Sequence, residues 1–387
     1  MGQLKSRLSD YWNRIQGTLF PWLEEELPPL TEKLKQLVTI LEMIRIEEFL
    51  PSYWTGFRGR PEKSRIAIAR AFVAKAVYNM PTTTMLIERL HLDISLRRIC
   101  GWESRCDIPS EALFSRAFAE FTSSELPGKI HESLIKKFYD NEIVGHVITD
   151  ASAIEAREKP IKKAKKKVVV DVNKPKNLGG RPKKGQEKPK EKTRIEKQAS
   201  GQMTLSEMLN DLPKECDKGG KTNTKGNLYW WIGYKLHLTV GDHGVPLAGI
   251  LSSASLHDSQ AAIPLAKITA ERVINFYDLM DSGYYAPWII EHSKALGHVP
   301  IIEKPADRGE KEEKGNEKLA WKTLNLKPAE MERYEVRTTV ERTFSRLKDE
   351  FGASFVRVRG AAKVYAHLMF GVVALAADQL IKLVTAV

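Results

Sequence analysis

Residues 334 to 352 read YEVRTTVERTFSRLKDEFG, an amphipathic helical pattern with neither Gly nor Pro before Gly352. At about 100° per residue, Tyr334, Arg337, Glu341 and Lys348 fall at roughly 0°, 300°, 340° and 320°, a stripe about 60° wide. Val336, Val340, Phe344, Leu347 and Phe351 fall between roughly 200° and 280°, on the adjoining stripe. One face must be buried, and the next carries a carboxylate flanked by cations. As a surface feature, Arg337 and Glu341 would be an i,i+4 pair worth about 0.2–0.5 kcal/mol. Four residue types at fixed offsets are more than that role requires.

Upstream, two short apolar runs end in aspartates. In EIVGHVITDASAI, Val144, Val147 and Ile148 predict a short strand that delivers Asp150 to its C-terminal end. In VINFYDLMDSGYYA a second strand ends at Asp281. Neighbouring strands of one sheet would bring Asp150 and Asp281 together, and a packed helix could add Glu341. Three converging carboxylates repel unless a divalent cation with oxygen ligands neutralises them. Two such ions about 3.5–4 Å apart suit phosphoryl transfer. Tyr334, Arg337 and Lys348, beside Glu341, could then hold a phosphodiester backbone.

Between these runs YKLHLTVGDHGVPLAGILSS predicts a hairpin turning at Gly241–Gly244. SQAAIPLAKITAER predicts a helix with Asp258 or Ser259 near its cap, and GHVPIIEK a further strand. The order of strands and helices is an α/β layout with a mixed sheet. Before it the chain is helical. We divide it into a helical leader (1–56), a helical block (57–143, with Ser110 patterned as an N-cap after Pro109) and an α/β domain (144–387). Within the last, 157–226 is rich in Lys, Pro and Gly and reads as a flexible basic insertion. Trp230 and Trp231 read as core or sheet aromatics.

The charge is concentrated. Residues 157–198 hold 17 Lys and Arg against 5 Asp and Glu, a net +12 that equals the net +12 of the whole chain. Such a run points to phosphates. Three cysteines, an odd number without metal-ligand spacing, give no sign of a disulfide framework or a zinc site. MGQLKSRLSDYW has no apolar signal core. VYAHLMFGVVALAADQLIKLVTAV is broken by His367, Asp378 and Lys382, so it reads as a buried core helix instead of a membrane span. The expectation is a soluble, cytoplasmic protein.

The spacing Tyr334-x2-Arg337-x3-Glu341-x6-Lys348 resembles the Y-R-E-K signature of insertion-sequence DDE transposases. Asp281 in MDSGYYA resembles the family's second-aspartate motif, Asp150 in ITDAS its first, and GRPEKSRIAIARAF…IPSEALFSRAF its N-terminal domain. The similarity covers roughly 57 to 385, leaving out the first 50-odd residues and the basic insertion. It implies an α/β, ribonuclease H-like mixed sheet flanked by helices, preceded by an all-α N-terminal domain, and so makes 57–143 a helical DNA-binding domain and 144–387 the catalytic domain. It also implies Asp150, Asp281 and Glu341 as a triad for two Mg²⁺ ions (or Mn²⁺), with Tyr334, Arg337 and Lys348 on the DNA end. The expected reaction is phosphodiester hydrolysis at inverted-repeat ends, followed by attack of the freed 3′-hydroxyl on target DNA. By the same resemblance the partner is double-stranded DNA, bound by a homodimer in a prokaryotic, nucleoid-associated setting. The alternatives are a silent DNA-binding descendant of a transposase and a hydrolytic nuclease of the same fold.

Two Gly-Arg-Pro tripeptides stand at Gly59–Pro61 and Gly180–Pro182. The first reads as the turn that opens a helix. The second, with Arg181, Lys183 and Lys184 in GGRPKKG, suggests an A·T minor-groove contact.

Overall fold

In the computed structural model, residues 2–50, 63–140, 142–161, 192–222, 226–304 and 329–385 are described. Both Gly-Arg-Pro tripeptides, with Arg181, Lys183 and Lys184, lie outside them.

The sheet is built on β1 (Ile143–Glu155), in which Val144, Val147 and Ile148 are buried. The remaining strands are β2 (Asp217–Thr222), β3 (Leu228–Gly241), β4 (Pro246–Ser253), β5 (Ile274–Met280) and β6 (Val299–Ile302). Their order is β2-β3-β1-β5-β6, with β4 also paired to β3. β3 runs antiparallel to β1, β2 and β4, whereas β5 is parallel to β1 and β6 parallel to β5. The sheet is therefore mixed, and the β5–β6 crossover carries the Pro287–Ala295 helix, as parallel neighbours require. The β3–β4 hairpin turns where the Gly and Asp residues predict it, with Gly244 at φ 75°.

Helices cover both faces. The Ala262–Ala270 helix is tied to one face by a 2.8 Å hydrogen bond between Thr239 and Thr269 hydroxyls. The Thr338–Asp349 and Ala361–Thr385 helices cover the other, where Tyr365 donates to the Gly249 carbonyl at 2.8 Å. The Ala361–Thr385 helix is long and apolar enough to cross a membrane by length and composition alone, but most of its apolar window is buried in the protein. It packs against the Gly2–Arg14, Glu32–Ile44, Arg65–Val77 and Leu126–Tyr139 helices as well as β4.

That arrangement alters the expected division of the chain. Leu4 and Leu37 of the leader, Phe72 and Phe114 of the helical block, and Leu238, Leu347 and Phe370 further on belong to one continuous core. A buried polar knot fastens it: Asp378 accepts from Gln36 at 2.6 Å and from Arg346 at 2.6 Å, and Lys382 lies 3.0 Å away. The boundaries near 56 and 143 mark changes of sequence pattern without separating cores.

The stretch expected to be flexible, 157–226, is folded over 192–222. Thr193 with Glu196, and Thr204 with Glu207, form capping boxes that start the Arg194–Ala199 and Leu205–Asp211 helices. Met208 of the second helix is fully buried. β2 then joins the sheet edge, where a Cβ on Gly219 would stand 2.6 Å from the Trp231 ring. Glycine in β2 thus makes room for a buried tryptophan; it does not mark a linker. Both Trp230 and Trp231 are the sheet aromatics that the sequence suggests, Trp231 buried and Trp230 51% exposed, with the Lys218 ammonium 4.5 Å from its ring centroid.

Candidate active site

β1 is longer than predicted, and Asp150 sits within it instead of at its end. What ends there is its pairing with β5: the parallel register closes at Thr149↔Met280. The next residue on each strand is an aspartate, so Asp150 and Asp281 stand side by side at the carboxyl end of the parallel ladder. β1 itself continues to Glu155 because β3 still pairs with it, Asp150 opposite Leu238.

Each aspartate is held locally. Asp150 accepts a hydrogen bond from the Ala151 amide at 2.7 Å. Asp281 caps the one-turn helix Ser282–Tyr284, accepting from the Gly283 amide at 2.9 Å. A Cβ on Gly283 would meet that same carboxylate oxygen at 3.0 Å, so glycine keeps the cap open. Behind the turn Tyr284 is buried, and β5 is locked to the Pro287–Ala295 helix by Ser293, which donates to Asp278 at 2.5 Å.

Residues 334–352 do not form one helix. Ala329–Glu335 and Thr338–Asp349 are separate, joined by a tightened turn in which Arg337 donates to the Tyr334 carbonyl and Val340 to that of Arg337. Val336, Thr338, Thr339 and Val340 are all β-branched, which lowers the helical preference at this point. The predicted apolar face is borne out beyond the turn: Val340, Phe344, Leu347 and Phe351 are buried.

The neighbouring face points to Asp150. Arg337 donates to Glu341 at 2.8 Å, and another of its nitrogens lies 3.9 Å from the Asp150 carboxylate. Its guanidinium also lies 5.7 Å from the centroid of the Tyr334 ring. Tyr334 donates to Glu303, just past β6, at 3.3 Å. Asp150, Asp281, Tyr334, Arg337 and Glu341 thus form one neighbourhood. Among the described residues no three carboxylate, imidazole or thiol groups stand close enough to cage an ion. Arg337 lies between two of the acids.

The electrostatics match that crowding. Burial, with the Asp281 charge adding to it, pushes the Asp150 carboxyl up to about 6, although the Ala151 amide and the Lys221 and Arg337 cations pull the other way. Burial pushes the Tyr334 hydroxyl up to about 12, so it remains a donor. Lys348, seven residues beyond Glu341, is lowered by burial while sharing its surroundings with Glu155 and Lys221. Lys221, on β2, is a cation that the sequence reading assigned to the insertion; only its ladder with Tyr229 brings it to this face. Glu303 was likewise missed, because nothing local marks a residue that matters through a contact 31 positions away. Asp258 is not a helix cap. It pairs with Lys235 at 2.9 Å, and His257 shares a 2.8 Å hydrogen bond with Ser259.

Residues 22–120 match a family described as a transposase domain (DUF772), so the similarity reaches into the helical leader, further than the sequence motifs suggested. No curated protein and no solved structure matches the chain. Residues 145–376, more than half of the chain and the whole neighbourhood of Asp150, Asp281 and Glu341, match the transposase DDE domain family. With a helical N-terminal region leading into a ribonuclease H-like mixed sheet, the chain belongs to the DDE transposases, DNA enzymes of phosphoryl transfer.

Proposed function

We propose that this transposase hydrolyses a phosphodiester at each inverted-repeat end and then joins the freed 3′-hydroxyl to target DNA, using Asp150, Asp281 and Glu341. The observation that carries the reading is the register of β1 and β5, which sets Asp150 beside Asp281, with Arg337 linking Asp150 to Glu341.

The donor set suits divalent metal. Carboxylate oxygens are the ligands Mg²⁺ and Mn²⁺ take, and a buried Asp150 whose proton is held to about 6 is a carboxylate short of positive charge. Asp150, Asp281 and Glu341 would hold two such ions, which supply Lewis-acid polarisation of the phosphate and of the attacking oxygen. The chain's own side chains do the rest. Arg337 exchanges its carboxylate partners for phosphate oxygens, which it can grip with two parallel donors. Tyr334 donates a hydrogen bond to the backbone of the DNA end. Lys348 and Lys221 offset charge on the flanking phosphates. The helical block from 57 to 143 and the basic run from 157 to 198, with Arg181, Lys183 and Lys184, would grip DNA further out. A homodimer would bring two ends together.

The test is cleavage and strand transfer on the element's own ends in Mg²⁺. Asp281→Ala and Glu341→Gln should each abolish both, by at least about 10³-fold, while end binding persists. Cutting at the wild-type rate by either variant would refute the reading. Cutting without joined products would leave a nuclease.

A further inference from the structure

Away from the carboxylates, a cavity of about 340 Å³ opens between the helical block and the segments that follow β1 and the Thr338–Asp349 helix. Its lining is basic. Lys75 comes from the Arg65–Val77 helix, Arg157 from the exit of β1, and Arg357 from the loop before the Ala361–Thr385 helix. Thr83 adds the start of the ten-residue Thr83–Leu92 helix, whose N-cap is Thr82.

Lys75 is the unusual member. It is 7% exposed, yet no hydrogen bond or ion pair reaches its ammonium among the described residues. Burial alone lowers its pKa to about 8, so it still carries a proton at neutral pH. Beside it His367, fixed to the Gly352 carbonyl at 3.1 Å, is pushed down to about 3 by burial and by Lys75, and so stays neutral. Glu111 is the one acid in the described lining, exposed at the rim, where its carboxylate accepts from the Thr84 hydroxyl at 3.3 Å. The first-turn amides of Thr83 and Thr84 have no intrahelical acceptor, and a helix start favours an anion.

A buried ammonium with no counter-charge among the described residues, two arginines and a helix start converge on one opening. We infer that this cavity binds a phosphate group, with the Lys75 ammonium at its floor and Arg157 and Arg357 closing over it. The lining comes from both matched family regions, so a bound phosphate would tie the helical block to the segments flanking the catalytic sheet. That phosphate can belong to a DNA backbone or be free in solution, and the two sources are separable. The site is independent of the carboxylate chemistry proposed above.

The experiment uses the full chain carrying Asp281→Ala, so that its outcome does not depend on cutting. Two variants are compared in that background. Lys75→Met keeps the side chain's length and removes its charge; Arg357→Gln alters an exposed residue that cannot unfold the core. In the first arm, duplex DNA binding is titrated across salt. A backbone phosphate in the cavity predicts at least about a tenfold loss of affinity in Lys75→Met. The slope of log affinity against log salt should shrink by about 0.9 in each variant. In the second arm, inorganic phosphate and chloride are compared at equal ionic strength. A free-phosphate site predicts a rise in melting temperature with phosphate that both variants lose. Lys75→Met should also melt higher than its parent without any anion, a gain that a purely structural lysine would not give. Response in either arm supports the phosphate site and identifies the source. If both variants match the parent in both arms, the inference is overturned.

Discussion

A guanidinium nitrogen of Arg337 stands 3.9 Å from the Asp150 carboxylate, and the same side chain donates to Glu341 at 2.8 Å. The site therefore brings its own cation, on the helix that carries its third acid. On the proposed function, a metal ion would share these carboxylates with that arginine until DNA drew it away. Arg337→Ala should bind Mn²⁺ several-fold more tightly than the wild-type chain in the absence of DNA, yet bind transposon ends more weakly. Calorimetric titration of Mn²⁺ and a DNA shift assay check both. Equal Mn²⁺ affinity would mean that the arginine does not compete.

The Asp150 carboxyl is raised from 3.8 to about 6, so the folded chain binds this proton more tightly than the unfolded chain does. Its effect on stability is absent below pH 4 or so, grows as pH rises through the interval up to 6, and is a loss throughout. The loss levels off at roughly 2–3 kcal/mol. Metal-free Asp150→Asn should lack this decline and be the more stable protein at pH 7.5. Added Mg²⁺ should stabilise the wild type and not the variant. Denaturant melts from pH 4.5 to 8 provide the measurement.

Gly371 lies where the Ala361–Thr385 helix crosses the end of the Thr338–Asp349 helix; a Cβ there would stand 2.5 Å from the Phe351 carbonyl oxygen. That partner is backbone, and the next nearest atom, Leu347 Cδ1 at 3.2 Å, belongs to a fully buried side chain. Gly371→Ala should cost about 1–3 kcal/mol by overpacking, seen in urea melts. Because the displaced helix holds Glu341, cleavage should fall as well.

Residues 162–191 carry 12 Lys and Arg against 3 Asp and Glu. Their deletion should lower DNA affinity at low salt and flatten its salt dependence, with far less effect near 0.5 M salt. Filter binding across a salt series tests this, and an unchanged slope would locate the phosphate contacts elsewhere.

Much of the catalytic face was readable because local rules agree there. Apolar runs end in Asp150 and Asp281, a turn of Gly and Asp closes β3 on β4, and Val340, Phe344 and Leu347 repeat at helical spacing. The misreadings share a cause. Composition made residues 192–222 look unfoldable, yet capping boxes at Thr193 and Thr204 and the fit of Trp231 over Gly219 are specific pairings that an average over residues hides. The helix containing Tyr334 looked continuous because neither Gly nor Pro interrupts it, whereas a cluster of β-branched residues tightens it. Asp150 looked like a strand end because the sequence shows only one strand at a time, and the pairing that stops beyond Thr149 belongs to β5. Arg337 between two acids, and Lys75 with none among the described residues, are relations across the fold that spacing cannot express.

The Ala361–Thr385 helix has a consequence for synthesis. It contacts the leader, the helical block and β4, and a ribosome extrudes it after all of them. Until it emerges, the nascent polypeptide has an open apolar trough along the helices already made, and Gln36 and Arg346 lack the buried aspartate that joins them. Closure of the core thus waits for the synthesis of residues 361–385. A chain cut short before residue 361 would keep that trough open and become a client of chaperones.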